Sequence, residues 1–168
     1  TLSSADFIVE KGLSVLPEYS YINLSGMTFT SSPEDASNYH SYLEYLTDNN
    51  DNTSWEPAGA KELTTYTLTL NLKTTKDLHG LKLVQTYFDN VNKRSWCPQS
   101  VKIYVSTDGV KWDVATYVEE LEIGHSTGEV NIIPFIEGGV QAQYVKVLVP
   151  TPHSESTYNI SLAEIGLY

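Results

Sequence analysis

The sequence predicts an all-β domain, an antiparallel β-sandwich of the jelly-roll kind, and three observations carry that expectation. Period-two alternation of apolar and polar residues dominates the chain. Turn-forming residues punctuate it at short intervals, and no internal repeat or low-complexity tract interrupts it. With 168 residues and 40% hydrophobic content, the chain can bury one sizeable core, and one domain is expected.

The elements follow in order. Ser32 to Leu46 is the one stretch with helical character: Ser32 is placed as N-cap, Pro33 in the first turn, and Tyr39, Leu43 and Leu46 at helix spacing. Tyr66, Leu68, Leu70 and Leu72 alternate with Thr67, Thr69 and Asn71, and Leu81, Leu83 and Gln85 follow Gly80, read as a breaker. Val101, Ile103 and Val105 form a strand ending at Thr107-Asp108-Gly109, where Asp-Gly favours positive φ and a tight hairpin into Trp112 to Tyr117. Val130 to Phe135, Tyr144 to Val149 and Ile160 to Tyr168 complete the set. Residues 1–21 are patterned more weakly and read as an N-terminal extension or the tail of a preceding domain, leaving 22–168 for the sandwich.

Charge narrows the partners. Ten Lys+Arg against 21 Asp+Glu give a net −11, which opposes phosphate backbones and anionic lipid, so nucleic acid is excluded as a partner and membrane lipid disfavoured. The single cysteine, Cys97, has no internal partner and sits in no zinc or redox spacing. No apolar run is long enough for a transmembrane helix. The chain starts at Thr1 without Met and without a signal sequence, and is read as a processed or excised piece whose export signal, if any, is gone. Asn-x-Ser sequons at Asn23, Asn52 and Asn159 are compatible with export.

Catalytic groupings are missing from the sequence: it has no G-x-S-x-G elbow, H-E-x-x-H or Gly-rich phosphate loop. Glu119-Glu120 are adjacent, so a strand would point them to opposite faces, unlike the facing acids of glycoside hydrolysis.

Two loops carry chemistry. Asp48-Asn49-Asn50-Asp51-Asn52-Thr53-Ser54-Trp55 is dense in hard oxygen donors, the kind calcium takes about six to eight of. An EF-hand is ruled out, because Thr53 stands where Gly is needed and Gly59 where the bidentate Glu belongs. Composition alone favours a solvated Asn/Asp turn. Tyr87 to Pro98 combines aromatics, Asn90, Asn92 and Arg94: Trp96 suits stacking on a pyranose and Arg94 hydrogen bonding to its hydroxyls. The alternative is that Trp96 covers the core edge and Arg94 caps a carboxylate. His40 with Tyr39 and Tyr42, and His153 with Tyr158 and Asn159, are further candidates on neighbouring loops. Trp55 and Trp112 are assigned mainly to packing.

Asp48-x-Asn50-x-x-Thr53-x-Trp55, Met27 to Ser32, Val101 to Trp112 (V-K-I-Y-V-S-T-D-G-V-K-W) and Ile160 to Ile165 stand in the order seen in discoidin-like, factor V/VIII type C domains. Across about residues 22–168 the chain resembles that family and the bacterial carbohydrate-binding modules sharing its galactose-binding-domain-like fold. The resemblance implies a structural calcium ion held by Asp48, the Tyr45 carbonyl, Asn50, Thr53, the Ala163 carbonyl and Glu164. Asn49 replaces the family's usual Gly and accepts the same left-handed angles. It also implies glycan or glycoconjugate binding, for which the loop chemistry above offers His40, Arg94, Trp96, Tyr158 and Asn159. The setting it implies is a module joined to other domains of an extracellular, cell-surface or periplasmic protein. Galactose-binding relatives often carry His after the loop Trp and an Arg before the hairpin; here Glu56 follows Trp55 and Val84 to Phe88 lacks Arg, so galactose is not implied. A protein-interaction or adhesion module on the same sandwich is the other expectation.

Overall fold

The computed structural model describes residues 20–34, 42–86, 96–121, 129–152 and 158–168. Among the described residues eight strands form two antiparallel sheets: β1 (Thr30–Ser32), β2 (Thr65–Leu78), β3 (Gly80–Val84), β4 (Val101–Ser106), β5 (Asp113–Val118), β6 (Val130–Pro134), β7 (Val140–Pro150) and β8 (Glu164–Leu167). The larger sheet runs β1-β2-β7-β4-β5 and the smaller β6-β3-β8.

The alternation read from sequence decides what each sheet turns inward. Leu68, Leu70 and Leu72 of β2, Ile103 of β4, and Val145, Val147 and Val149 of β7 are buried. They share one core cluster with Leu81, Leu83, Ile133, Ile165 and Leu167 of the smaller sheet. Two apolar faces thus close on each other, while Thr67, Thr69 and Lys146 stay on the outer face of the larger sheet.

Several elements differ from expectation. β2 continues beyond Leu72 to Leu78, because a register shift between Asn71 and Lys76 absorbs an irregularity: Lys73 takes φ 71° and donates its N–H to Asn71 Oδ1 at 2.8 Å. Gly80 does not break the chain but opens β3, where a Cβ would collide with the Tyr168 ring. Ser32 is no N-cap. It ends β1 opposite Thr67; of the stretch expected to be helical, Leu43–Thr47 is a 3-10 turn and 35–41 lie outside the described residues. The Asp-Gly turn has the expected positive φ at Gly109, 76°, but the connection spans Thr107 to Trp112 and is not a tight hairpin. Asp108 Oδ1 accepts the N–H groups of Val110 (2.8 Å) and Lys111 (2.9 Å) there, and those bonds hold its carboxyl below the usual range. The start of β7 lies upstream of Tyr144, at Val140. β8 is shorter than expected because the chain before Glu164 follows a different course, described next.

Candidate functional site

The segment 158–163, ahead of β8, organises one end of the sandwich. It runs antiparallel to residues 55–60: Trp55 and Leu162 exchange N–H···O bonds of 2.8 and 3.1 Å, and the Ala60 N–H donates to the Tyr158 carbonyl at 3.0 Å. Trp55 is 1% exposed and meets Tyr66 edge-on at 5.3 Å, so its expected packing role holds.

Ser161 lies in the middle of this segment and ties down both roots of the aromatic loop. Its N–H donates to the Trp96 carbonyl at 3.0 Å, and its hydroxyl is hydrogen-bonded to the Thr86 hydroxyl. Both hydroxyl residues are buried. Trp96 itself is half-buried and next to fully buried Cys97, whose thiol burial pushes up to about 11. Tyr158 and Asn159 are also half-buried, and the Asn159 side chain lies so close to Gly59 that no Cβ would fit there. The structure therefore brings Trp96, Tyr158 and Asn159 to the same end. His40, His153 and Arg94, with Tyr39, fall outside the described residues. Tyr42 is 46% exposed and packs on Tyr45 at 5.2 Å.

The acidic loop sits beside this segment. The 3-10 turn ends at Asp48, and Asn49 adopts φ 61°, the left-handed angle that lets the chain reverse. The Asn50 N–H then points between two carboxylates, 3.0 Å from Asp48 Oδ1 and 2.9 Å from Glu164 Oε1. The Thr53 hydroxyl donates to Asp48 Oδ2 at 2.7 Å, and the Thr53 and Asn52 N–H groups donate to the Asn50 carbonyl and side-chain oxygens. Asp48, Asn50, Thr53 and Glu164 thus converge. Tyr45 lies one 3-10 turn before Asp48, and Ala163, fully buried, precedes Glu164.

The electrostatics of that convergence are unfavourable as the groups stand. Burial, with hydrogen bonding to Asp48 and the negative charge of Asp48, pushes the Glu164 carboxyl from its ordinary 4.5 up to about 7, against lowering bonds from the Asn50 and Asn49 amides. Neither Asp48 nor Glu164 has an ion-pair partner among the described residues. Two carboxylates with hydroxyl and amide oxygens around them form a hard-oxygen donor set, and a divalent cation would relieve their repulsion. Among the described residues no three His, Cys, Asp or Glu side chains gather, so the remaining ligands would be neutral oxygens. The residues present fit calcium on donor chemistry.

Sequence reasoning missed the 55–60 ladder, Gly59 and Ser161. Pro57-Ala58-Gly59 carries no strand pattern, and a serine that ties two loop roots looks like any other serine until the fold is closed.

Trp112, assigned mainly to packing, is half-exposed and packs on the outer face of the larger sheet: its ring lies under the Lys146 ammonium at 4.0 Å and edge-on to Tyr144 at 6.5 Å. It stands on the connection before β5.

Solved structures share this architecture. Chitosan-binding module 1 of a chitosanase/glucanase from Paenibacillus sp. IK-5 is 21% identical, with 84% of this chain and 93% of that one covered and a TM-score of 0.61. The family 32 module of Clostridium perfringens NanJ, solved with galactose, is 18% identical over 88% of this chain and 96% of that one, TM-score 0.67. CpGH89CBM32-5 of Clostridium perfringens, solved with GalNAc-β-1,3-galactose, is 16% identical over 89% and 99%, TM-score 0.69. At these identities the likeness is one of fold, that of carbohydrate-binding modules. A sequence search of curated proteins returns no match. The F5/8 type C domain family matches residues 28–164, from the strand before the acidic loop to the glutamate that closes it. The chain is a member of the F5/8 type C, or discoidin-like, domain family.

Proposed function

We propose that this chain is a non-catalytic carbohydrate-binding module with a structural calcium ion, belonging to an extracellular, cell-surface or periplasmic protein that processes or captures glycans. One observation carries the glycan reading: both roots of the aromatic loop are fastened to Ser161, next to Tyr158 and Asn159, so a ring and polar groups are presented from a rigid sheet end. Trp96 is the stacking group, and Arg94, His40, Tyr158 and Asn159 supply donors and acceptors to sugar hydroxyls. The sugars held by structural neighbours are consistent with that chemistry. Tethered to other domains of a parent protein, such a module raises local substrate concentration even at weak affinity. Residues 1–21 are then an N-terminal extension or the tail of a preceding domain.

Calcium, bound by Asp48, Asn50, Thr53 and Glu164 with the carbonyls of Tyr45 and Ala163, would supply positive charge between two acids and a bridge from the early loop to the last strand. That bridge is already sketched by the Asn50 N–H to Glu164 contact.

A glycan array with wild type and Trp96→Ala tests the function. Binding of a glycan that the variant loses supports it; capture of a protein partner without any glycan binding overturns it in favour of an adhesion module, and turnover of a glycoside overturns its non-catalytic part.

A further inference from the structure

The outer face of the five-stranded sheet takes no part in the site above, although the groove on it reaches the strand ends at Thr65, Ser100 and Pro150. Its side chains form rows across the strands. Lys102 of β4 stands between Leu148 of β7 and Tyr117 of β5, and in the next row Tyr104 stands between Lys146 of β7 and Val114 of β5. The two lysines are therefore diagonal neighbours on adjacent strands, about 7–8 Å apart at the backbone. Each ammonium rests on a ring, Lys102 on Tyr104 at 5.3 Å and Lys146 on Trp112 at 4.0 Å, and neither has a carboxylate partner among the described residues. Next to them a groove of about 430 Å³ is bordered by Thr65, Lys102, Tyr117, Glu119, Leu148 and Pro150. Tyr117 is 56% exposed there.

A chain of net −11 that leaves two lysines unpaired on one aromatic face has made a local exception to its own charge. The geometry points to a second binding face here, for an acidic polysaccharide whose carboxylates or sulfates meet Lys102 and Lys146 while a sugar ring lies against Tyr117 in the groove. Three physical points favour that occupant. The ammonium groups are held in place by the rings beneath them, so less side-chain freedom is lost when an anion arrives. Among the groove's lining residues Glu119 is the one acid, and it makes the attraction modest; exposed charges more than about 8 Å away are largely screened at physiological salt. Single-stranded nucleic acid needs successive bare rings for its bases, and here two of the rings are capped by lysine.

The test is affinity electrophoresis of the whole chain through gels containing polygalacturonate, dextran sulfate or a neutral galactan. Retardation by one of the acidic polymers is expected, with affinity falling at least tenfold in Lys102→Glu and in Lys146→Glu and weakening at high salt. Lys61→Glu, an exposed lysine elsewhere, makes the same change in net charge and should leave retardation intact. Thermal melts of each variant separate lost binding from lost folding. No retardation by either acidic polymer, equal loss in Lys61→Glu, or equal retention by single-stranded oligonucleotide would overturn the proposal. This face and the loop site fail separately: Lys146→Glu should keep any neutral-glycan binding that Trp96→Ala abolishes.

Discussion

Asp48 reaches the last strand through one backbone amide, that of Asn50, which points at its own carboxylate and at Glu164. A pH dependence follows for the metal-free protein. The folded chain holds the Glu164 proton up to about pH 7, whereas an unfolded chain releases it near 4.5. Folding stability from this group is complete below 4.5 and is lost as pH rises through 7. In EDTA the melting temperature should therefore fall between about pH 5 and 7.5. Excess calcium should reverse that trend, since the ion needs the ionised carboxylate. Asp48→Ala should abolish the calcium-induced rise in melting temperature. A rise that survives this substitution would place the ion elsewhere. Cys97 makes a simpler case: a buried thiol with its pKa near 11 should react with an aromatic disulfide reagent at pH 8 only as fast as the protein unfolds, which a stopped-assay time course reads directly.

The segment ahead of β8 does more than any regular strand to shape the candidate site, although only single bridges mark it. Ser161→Ala removes the hydroxyl that pairs with Thr86 and leaves the Thr86 hydroxyl buried without that partner, at a cost of about 1–3 kcal/mol. Glycan affinity should drop together with stability, because one root of the aromatic loop is released. Affinity unchanged at reduced stability would show that the loop holds its shape without the tie. Gly59→Ala probes the facing strand. The methyl would displace the Asn159 side chain, so loss of binding with little change in melting temperature is expected if Asn159 contacts sugar.

At the scale of the whole molecule, what the sequence made legible was what repeats. Alternation along β2, β4 and β7 identified the inward residues, since a strand has only two faces and Leu68, Ile103 and Val147 must all choose the dry one. The resemblance of the Asp48 to Trp55 loop to discoidin-like domains named the family before any coordinates. Features built from single contacts across the fold stayed hidden. The Asn71 to Lys76 irregularity that lengthens β2, the 55–60 ladder, and the meeting of Lys102 with Lys146 each depend on register between distant segments, which no local pattern encodes. The partners on which Trp112 packs, Tyr144 and Lys146, stayed hidden for the same reason. Core truncation offers a check on the architecture itself. Leu68→Ala, in the middle of β2, should lower stability by about 2–5 kcal/mol in denaturant melts, whereas the same change at exposed Leu63 should do little.

The Ile22 N–H donates to the Leu167 carbonyl at 2.8 Å, so the chain comes in alongside the strand by which it goes out. Tension applied between these two points would be carried across that single contact rather than through the long β2-β7 ladder. The first event under load should be a local peeling of residues 20–22 from β8. The sheets and the loops fastened at Ser161 would stay slack, and a ligand held there would feel little of the pull.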